Sequence, residues 1–278
     1  MEVIETIADL RQARARFSQL GFVPTMGYLH EGHLSLVRQA KRECGAVAVS
    51  IFVNPTQFGP TEDFASYPRN PQRDLQLLAD QQTELVFLPK INELYPKGYS
   101  TFVEVTGITE VLEGAVRPGH FRGVTTIVYK LLNLVQPTKA YFGQKDAQQV
   151  AVVQKMALDL NLPTEIVVSE TLREPDGLAM SSRNSYLSGE QRQAAKVLYQ
   201  ALSTAKERYQ AGVRLGEDLK EAMLQVLATE PLVKTEYVSA ADPLTLQELD
   251  AITENGVLLS LAVRIGRTRL IDNFVLKA

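Results

Sequence analysis

The chain has 278 residues, of which 45% are apolar, and its formal net charge at pH 7 is −3. This length and apolar content exclude a disordered protein and predict two domains, because a domain is typically ~100–200 residues long. The small negative charge, with basic residues scattered along the chain, excludes the basic face typical of proteins that bind nucleic acid or acidic membranes and favours a small-molecule partner.

Cysteine content and the longest apolar run predict a cytoplasmic location. Cys44 is the only cysteine, which excludes a disulfide within the chain and a cysteine-rich metal site, and therefore suits a reducing compartment. The N-terminal stretch MEVIETIADLRQARARF is charged throughout. The longest apolar run, GAVAVSIFV, is much shorter than the ~20 residues needed to span a bilayer. We therefore expect neither secretion nor a membrane span.

Strand-like and helix-like stretches alternate over the first two thirds of the chain, which predicts a parallel sheet with crossover helices. The predicted strands are 21–25, 45–53, 84–88, 139–143 and 164–170. The predicted helices are 31–43, 71–82, 123–135 and 146–160. The strand at 45–53 is apolar without alternation, as expected of a strand buried on both faces. Together these elements predict an α/β fold with a Rossmann-like doubly wound parallel sheet.

The pattern changes after the polar segment TLREPDGLAMSSRNSYLS. Two long helix-like segments, 189–211 and 215–229, precede three strand-like ones, TEYVSA, GVLLSLAVRIG and TRLIDNFVL. This pattern predicts a smaller C-terminal α+β domain. We expect residues 1–184 to form the Rossmann-like domain and residues 185–278 to form the smaller one.

The stretch PTMGYLHEGHL, residues 24–34, follows the first predicted strand and resembles a P-loop with histidine and leucine in place of lysine and a hydroxyl residue. In open α/β sheets, ligands bind at the carboxyl ends of the strands. Backbone N–H groups at the start of a helix attract phosphate, and Gly27 and Gly32 allow a close approach. His30 and His33 lie on one helical face and can donate hydrogen bonds to charge that develops on a phosphoryl group. The stretch therefore predicts nucleotidyl transfer.

Two other interpretations of this stretch remain open at this point. HEGH suggests zinc, although the helical metalloprotease motif spaces its histidines four apart, as HExxH, and only His120 remains as a third imidazole. The two histidines also suit an ordinary helix start, where they would cap the helix or lie on the surface without a chemical role.

Two further polar stretches contain cations. FGQKDAQQ (142–149) places Lys145 where it can neutralise a phosphate, Asp146 at a helix N-terminus and Gln149 one turn later. LAMSSRNS (178–185) places two hydroxyls and a guanidinium in a loop between the predicted domains. Alone, the first also suits a solvated helix start with a capping aspartate, and the second an ordinary loop.

The fourth polar stretch is SIFVNPTQF (50–58), which follows the central strand. Asn54 and Gln57 can each donate and accept, which suits an uncharged hydroxyl or a carboxylate better than a phosphate. The alternative is a turn in which the asparagine caps the backbone. Each of the four stretches is a weak signal alone, but all lie at strand ends of one sheet and are expected to converge.

These motifs together resemble the pantoate–β-alanine ligase (pantothenate synthetase) family over essentially the whole chain. PTMGYLHEGH is similar to that family's form of the HIGH signature, which class I aminoacyl-tRNA synthetases and related nucleotidyltransferases share, and MSSR is similar to the KMSKS loop. FVNPTQF, YPRN, RPGHFRGV and FGQKDAQQ are further family-like blocks in the expected order. HxGH alone indicates only the superfamily, whereas FVNPxQF together with FGxKDxQQ indicates the family.

The resemblance implies an ATP-dependent ligase that acts in two steps. ATP, with Mg²⁺, and (R)-pantoate give pantoyl adenylate and pyrophosphate, and β-alanine then gives pantothenate and AMP. The implied catalytic residues are His30, His33, Lys145, Ser182 and Arg183. The implied ATP-binding residues are Met26, Gly32, His33, Gly143, Lys145, Asp146, Met180, Ser181, Ser182 and Arg183. The implied pantoate-binding residues are Gln57, Gln149 and Asn54.

The resemblance also implies a homodimer whose other partners are ATP, pantoate and β-alanine, with no nucleic acid or membrane, and a C-terminal domain that acts as a lid with a hinge at 184–187. Arg117 and His120 match positions near the substrates, without an assigned role. One departure concerns the metal. Family members often carry adjacent acidic residues after YPRN, whereas this chain has Arg73 beside Asp74, so we predict no fixed protein ligand for Mg²⁺.

Two alternative functions come from other classes. A nucleotide sensor without catalytic activity would keep the fold, but the presence of both histidines, Lys145 and the Ser-Ser-Arg loop argues against it. A nucleotidyltransferase or RNA-linked synthetase with another acceptor is the second alternative. The lack of a basic face or an anticodon-binding appendage argues against its RNA-linked form.

Overall fold

The computed structural model describes residues 1–60 and 62–277, and the chain divides into two compact units. The first unit comprises Met1–Gly143 and Val152–Glu170, and the second comprises Gln144–Ala151 and Thr171–Ala278. The predicted boundary between residues 184 and 185 and the lid role of residues 185–278 stay predictions. Among the described residues, no helix is long and apolar enough to cross a membrane.

The first unit contains a sheet of six strands. They are β1 (Glu2–Ile4), β2 (Gly21–Thr25), β3 (Val47–Ile51), β4 (Leu85–Phe87), β5 (Lys139–Gly143) and β6 (Glu165–Ser169). All neighbouring pairs are parallel, in the order β1-β4-β3-β2-β5-β6. From β2 the chain adds β3 and β4 on one side and β5 and β6 on the other. The switch point therefore lies between β2 and β5, where ligands of doubly wound sheets bind.

Helices connect these strands. They are α1 (Ile7–Arg14), α2 (Glu31–Cys44), α3 (Pro71–Asp80), α4 (Ile91–Leu94), α5 (Glu113–Val116), α6 (His120–Val135) and α7 (Ala147–Asp159). The four predicted helices are present, with ends shifted by up to three residues. β1 and α1 were missed, because a strand of three residues is too short to show a period and α1 is short, with charged residues interrupting its apolar ones.

Close packing of β2 against α2 determines the geometry of the loop between them. A Cβ atom on Gly21 would lie 2.9 Å from Cβ of Ala40, so only glycine permits this approach. Val23, Val37 and Val49 are fully buried in the same core, as expected for a parallel sheet covered by helices. The loop after β2 is therefore mounted on rigid elements.

The second unit is α+β, as predicted. Its helices are α8 (Gly189–Ala194), α9 (Lys196–Gln210) and α10 (Gly216–Leu227), and its strands are β7 (Val233–Ala241), β8 (Val257–Ile265) and β9 (Thr268–Leu276). The strands pair antiparallel in the order β7-β8-β9, and Leu198, Leu202, Met223, Leu259 and Val263 form part of the core. The single predicted helix 189–211 was wrong: two helices meet at Ala195. With these elements in place, the predicted fold class is confirmed.

Candidate active site

The loop after β2 lies at the switch point of the sheet and begins with a tight turn. Thr25 Oγ1 donates to Ser50 O of β3 at 2.8 Å and accepts from Gly27 N at 3.1 Å. Gly27 has φ = +81°, and a Cβ atom there would lie 2.9 Å from Cγ2 of Ile51. Both the backbone dihedral and the space therefore require glycine at this position.

A buried carboxylate from α3 holds the next two residues of the loop. Asp74, whose side chain is 1% exposed, accepts from Tyr28 N at 2.7 Å and from Leu29 N at 2.8 Å. Arg73 donates to Leu29 O at 2.8 Å, and its guanidinium carbon lies 5.5 Å from the centre of the Tyr28 ring. Backbone N–H groups thus engage both oxygens of Asp74. Arg73 and Asp74 brace the loop.

Asp74→Ala is expected to lower the free energy of unfolding by about 2–6 kcal/mol, because two backbone N–H groups lose their acceptor at roughly 1–3 kcal/mol each. Urea denaturation measures the change. Asp80→Ala is the matched control, since Asp80 lies on the same helix but is exposed. Equal losses in the two variants would contradict the bracing role.

His30 and His33 together cap the start of α2. His30 Nδ1 accepts from Gly32 N at 3.2 Å, and His33 Nδ1 accepts from His30 N at 3.3 Å. The two ring centres are 4.0 Å apart. Because each Nδ1 accepts from a backbone N–H, the proton of each neutral imidazole lies on Nε2. Each ring is thus a helix cap at one nitrogen and a hydrogen-bond donor at the other.

Helix capping by these histidines and hydrogen bonding to a phosphate are therefore compatible, because capping uses Nδ1 and donation uses Nε2.

The zinc interpretation finds no such support: residues 1–60 and 62–277 contain no group of three or more His, Cys, Asp or Glu side chains that could hold a metal ion. The capping geometry also engages Nδ1 of both rings.

Asn54 follows β3 and is 1% exposed. Its Nδ2 donates to Gly123 O and to Gln57 Oε1, each at 3.1 Å. Its Oδ1 accepts from Thr56 Oγ1 at 3.0 Å and from Tyr95 OH at 2.9 Å. An amide has two N–H donors and two acceptor lone pairs, so the protein itself engages all four positions of Asn54.

These contacts determine which side of the Gln57 amide carries the nitrogen. A backbone carbonyl can only accept, so Gly123 O requires the nitrogen of Asn54 on its side. The second N–H of Asn54 then requires the oxygen of Gln57. Gln57 Nε2 consequently points elsewhere and lies 3.1 Å from Met26 Sδ, in the loop after β2. Gln57 is therefore oriented as a donor beside this loop.

A second series of contacts holds the backbone of Gln57. His120 Nδ1 donates to Gln57 O at 2.8 Å, and His120 Nε2 accepts from Arg117 Nη1 at 3.0 Å. Arg117 pairs with both oxygens of Glu62 at 2.7 Å. Burial and the Arg117 charge lower the pKa of His120 to about 4, so its ring is neutral at pH 7. Burial alone would raise the pKa of Glu62, but the Arg117 guanidinium outweighs it and lowers this pKa.

Acid is expected to destabilise the protein through His120. Its pKa is about 4 in the folded state against 6.5 ordinarily, so the unfolded state binds the proton first as the pH falls. The stability is complete above pH 6.5 and is lost between pH 6.5 and 4. His120→Asn keeps a donor for Gln57 O but does not titrate. Between pH 7.5 and 5, the wild type should lose about 2 kcal/mol more free energy of unfolding than this variant, as measured in urea. Equal losses would contradict the assignment.

In the second unit, Lys145 lies in a 3₁₀ turn, Gln144–Asp146, that leads into α7. Its Nζ lies 3.4 Å from Oδ1 of Asp146. Gln149 is half-buried one turn further along the helix. The lysine side chain is 20% exposed.

Side chains of the Ser-Ser-Arg loop in the second unit form hydrogen bonds with backbone groups of the same segment. Ser181 Oγ accepts from Arg183 N at 3.2 Å and so caps the 3₁₀ turn Ser182–Tyr186. Asn184 Nδ2 donates to Ala179 O at 3.1 Å. Ser182 is buried, whereas Met180 and Arg183 are half-buried.

The structure thus distributes the predicted site residues over both units. The first unit contains Met26, His30, Gly32, His33, Asn54, Gln57 and Gly143. The second contains Lys145, Asp146, Gln149, Met180, Ser181, Ser182 and Arg183. Their roles stay predictions. Sequence reasoning gave no role to the supporting residues Thr56, Tyr95 and Gly123, although Thr56 lies in the block FVNPTQF and Gly123 in the block RPGHFRGV.

A doubly wound parallel sheet with two imidazoles at the start of the helix after β2 is the arrangement of the HIGH-motif nucleotidyltransferases. Comparison with known families is more specific. Residues 2–275 match the family model described as pantoate-beta-alanine ligase. The chain belongs to this family, and the predicted family is confirmed.

Known relatives and solved structures agree with this assignment. The chain is 64% identical over 277 residues to a pantothenate synthetase of Chloroflexus aurantiacus, covering 100% of this chain and 99% of the relative. A crystal structure of pantothenate synthetase from Thermus thermophilus matches with a TM-score of 0.96 and 46% identity over 100% of both chains. A pantoate-beta-alanine ligase from Francisella tularensis, complexed with beta-gamma ATP and beta-alanine, matches with a TM-score of 0.81 and 36% identity over 99% of this chain and 97% of that one.

Proposed function

We propose that this chain condenses (R)-pantoate with β-alanine at the expense of ATP, through a pantoyl-adenylate intermediate, and releases pyrophosphate and AMP. The observation that carries the proposal is the loop after β2, where two capping imidazoles have their protons on Nε2 in a chain of the pantoate–β-alanine ligase family. The Francisella relative, complexed with beta-gamma ATP and beta-alanine, supports the use of these two substrates.

The chemistry explains why hydrogen-bond donors are needed at this loop. A carboxylate is a poor electrophile until adenylation gives it a good leaving group. Attack on the α-phosphate of ATP develops charge on the phosphates, and fixed donors stabilise that charge most effectively when they need no reorganisation. Because the capping bonds hold the rings of His30 and His33, their Nε2–H groups meet this requirement.

Gln57 and Gln149 are assigned to pantoate, which carries two hydroxyls and a carboxylate. The donor side of Gln57 suits the oxygens of such a substrate. Asn54 acts on pantoate through Gln57 in this proposal, because its own amide is fully engaged within the protein.

The second unit is assigned the remaining phosphate contacts. Lys145, Ser182 and Arg183 stabilise charge on the phosphates as cations or hydroxyl donors. The main chain near Met26, Gly32 and Gly143, together with Asp146, Met180 and Ser181, is assigned to ATP by family resemblance. Mg²⁺ is assigned to the ATP phosphates and water, a common arrangement for this ion.

A homodimer and a cytoplasmic location complete the proposal. Residues 101–106 belong to none of the described helices or strands, and Phe102 is 41% exposed, which suits a contact with a second copy. Cys44 is a free, buried thiol, which suits a reducing compartment. Light scattering on the purified protein tests the dimer.

The experiment that tests the proposed function is exchange of labelled pyrophosphate into ATP, with Mg²⁺ and without β-alanine. We expect exchange that depends on pantoate. Exchange that depends on a different carboxylic acid would keep adenylate formation and change the substrate. A lack of exchange with every acid would favour the nucleotide-sensor alternative.

A further inference from the structure

The turn that carries Lys145 is held from the far end of the chain. Two successive carbonyls of this turn, Gln144 O and Lys145 O, accept from Asn273 Nδ2 at 3.0 and 2.8 Å. Gln144 Nε2 returns a hydrogen bond to Asn273 Oδ1 at 3.3 Å. Both N–H groups of the Asn273 amide are therefore used on the backbone that bears the lysine, and the two carbonyls determine the orientation of the amide.

Asn273 itself is fixed in β9 and is 4% exposed. Its backbone N–H donates to Asp272 Oδ1 at 2.8 Å, and its carbonyl accepts from Arg173 Nη2 at 3.3 Å. Arg173 and Asp272 form a bidentate pair at 2.6 and 2.9 Å. The guanidinium carbon of Arg173 also lies 5.0 and 4.9 Å from the ring centres of Tyr199 and Phe274. Asn273 is thus mounted on a buried, stacked ion pair.

This support matters because a 3₁₀ turn of three residues has few hydrogen bonds of its own and poorer hydrogen-bond geometry than an α-helix. The position of the Lys145 backbone determines where its ammonium group can reach. A lysine ammonium is a point charge on a flexible stem, so the backbone anchor supplies the part of its placement that the side chain cannot.

We propose that Asn273 is a positioning residue for adenylation, which sets the position of Lys145 through the two carbonyls of its turn. The proposal rests on the proposed function, in which Lys145 neutralises the phosphates of ATP. Asn273 does not touch the substrate and acts only through the lysine.

The test uses pantoate-dependent pyrophosphate exchange by the full chain. Asn273→Ala removes both donors and should lower kcat about 10- to 100-fold, since a displacement of ~1 Å can cost ~10²-fold in rate. The KM for pantoate should change less than about twofold, because a substrate contact is not removed. Asn255→Ala is the control, since it deletes a donor to Asp242 Oδ2 in the same unit and should leave kcat unchanged.

The decisive readout is a double-mutant cycle with Lys145→Ala. In the Lys145→Ala background, Asn273→Ala should lower kcat by less than about threefold, because there is no ammonium left to position. Effects that multiply would overturn the proposal, because a purely structural role would act independently of the lysine. A wild-type kcat in the Asn273→Ala variant would also overturn it.

A second variant of Asn273 and the single variant Lys145→Ala separate a failure of this proposal from misfolding and from a failure of the proposed function. Asn273→Asp retains the size of the side chain but replaces the donating nitrogen with an oxygen, which cannot donate to Gln144 O and Lys145 O. If the alanine variant does not fold, Asn273→Asp takes its place in the double-mutant cycle. Wild-type exchange by Lys145→Ala alone would refute the role of the lysine and, with it, this proposal. Pantoate-dependent exchange by the wild type tests the proposed function separately.

Discussion

His33→Ala is expected to lower the rate of pantoate-dependent pyrophosphate exchange about 10²–10³-fold, the usual cost of removing one fixed donor from developing charge. The same substitution removes the acceptor for His30 N, so we also expect the free energy of unfolding to fall by about 1 kcal/mol. A loss of rate in this variant alone would therefore not separate chemistry from capping.

Two further substitutions at this position make the separation. His33 is the third residue of α2, where glutamate and glutamine are the side chains that usually reach back to the cap. His33→Gln keeps the cap and a donor, whereas His33→Glu keeps the cap and loses the donor. Both should unfold in urea near the wild-type midpoint. Exchange should be partly retained in the glutamine variant and lost in the glutamate variant. If the exchange rates of the three variants instead rank in the same order as their urea midpoints, His33 acts only as a helix cap and has no role in the chemistry.

The double role of these histidines also explains what sequence reasoning could and could not predict. Their spacing and their position after a strand predicted a helix start that binds phosphate. The sequence left capping and chemistry as alternatives, because both place a polar side chain at the same position. The hydrogen bonds to Nδ1 show that capping uses one nitrogen of each ring, and in the neutral ring they place the proton on the other nitrogen, Nε2.

Periodicity predicted most of the fold because a buried parallel strand and an amphipathic helix are local patterns. β3 and α2 were predicted from their own residues alone. The short strand β1 was missed because three residues do not show a period, and the break between α8 and α9 because Ala195 keeps helical backbone angles. Hydrophobic periodicity therefore does not predict an element that is too short to show a period, or a helix break that no proline or glycine marks.

Supporting contacts could not be predicted because their partners are far apart in sequence. Asp74 braces Tyr28 across 46 positions, and Asn273 holds Lys145 across 128. Nothing in YPRNPQRDL distinguishes a carboxylate that binds metal from one that binds backbone N–H groups. Only the fold shows that both oxygens of Asp74 are engaged.

Gln57 offers the sharpest test of such a long-range constraint. Gly123 lies 69 positions from Asn54, yet its carbonyl determines the orientation of the Asn54 amide and, through it, that of Gln57. If the nitrogen of Gln57 serves pantoate, Gln57→Ala should lower kcat/KM for pantoate about 10- to 100-fold. This range corresponds to a hydrogen bond to a charged group, worth about 1.5–3 kcal/mol.

Gln57→Glu distinguishes the two possible orientations of the amide. The glutamate keeps an oxygen to accept from Asn54 Nδ2 but presents a second, negatively charged oxygen where Nε2 now lies. Facing a carboxylate substrate, that charge should lower kcat/KM for pantoate at least about tenfold below the value for Gln57→Ala, because like charges repel strongly where water is excluded. Urea denaturation of both variants checks that each is folded. A glutamate variant more active than the alanine variant would mean that Gln57 accepts from the substrate, and the orientation imposed by Gly123 would then have no part in binding pantoate.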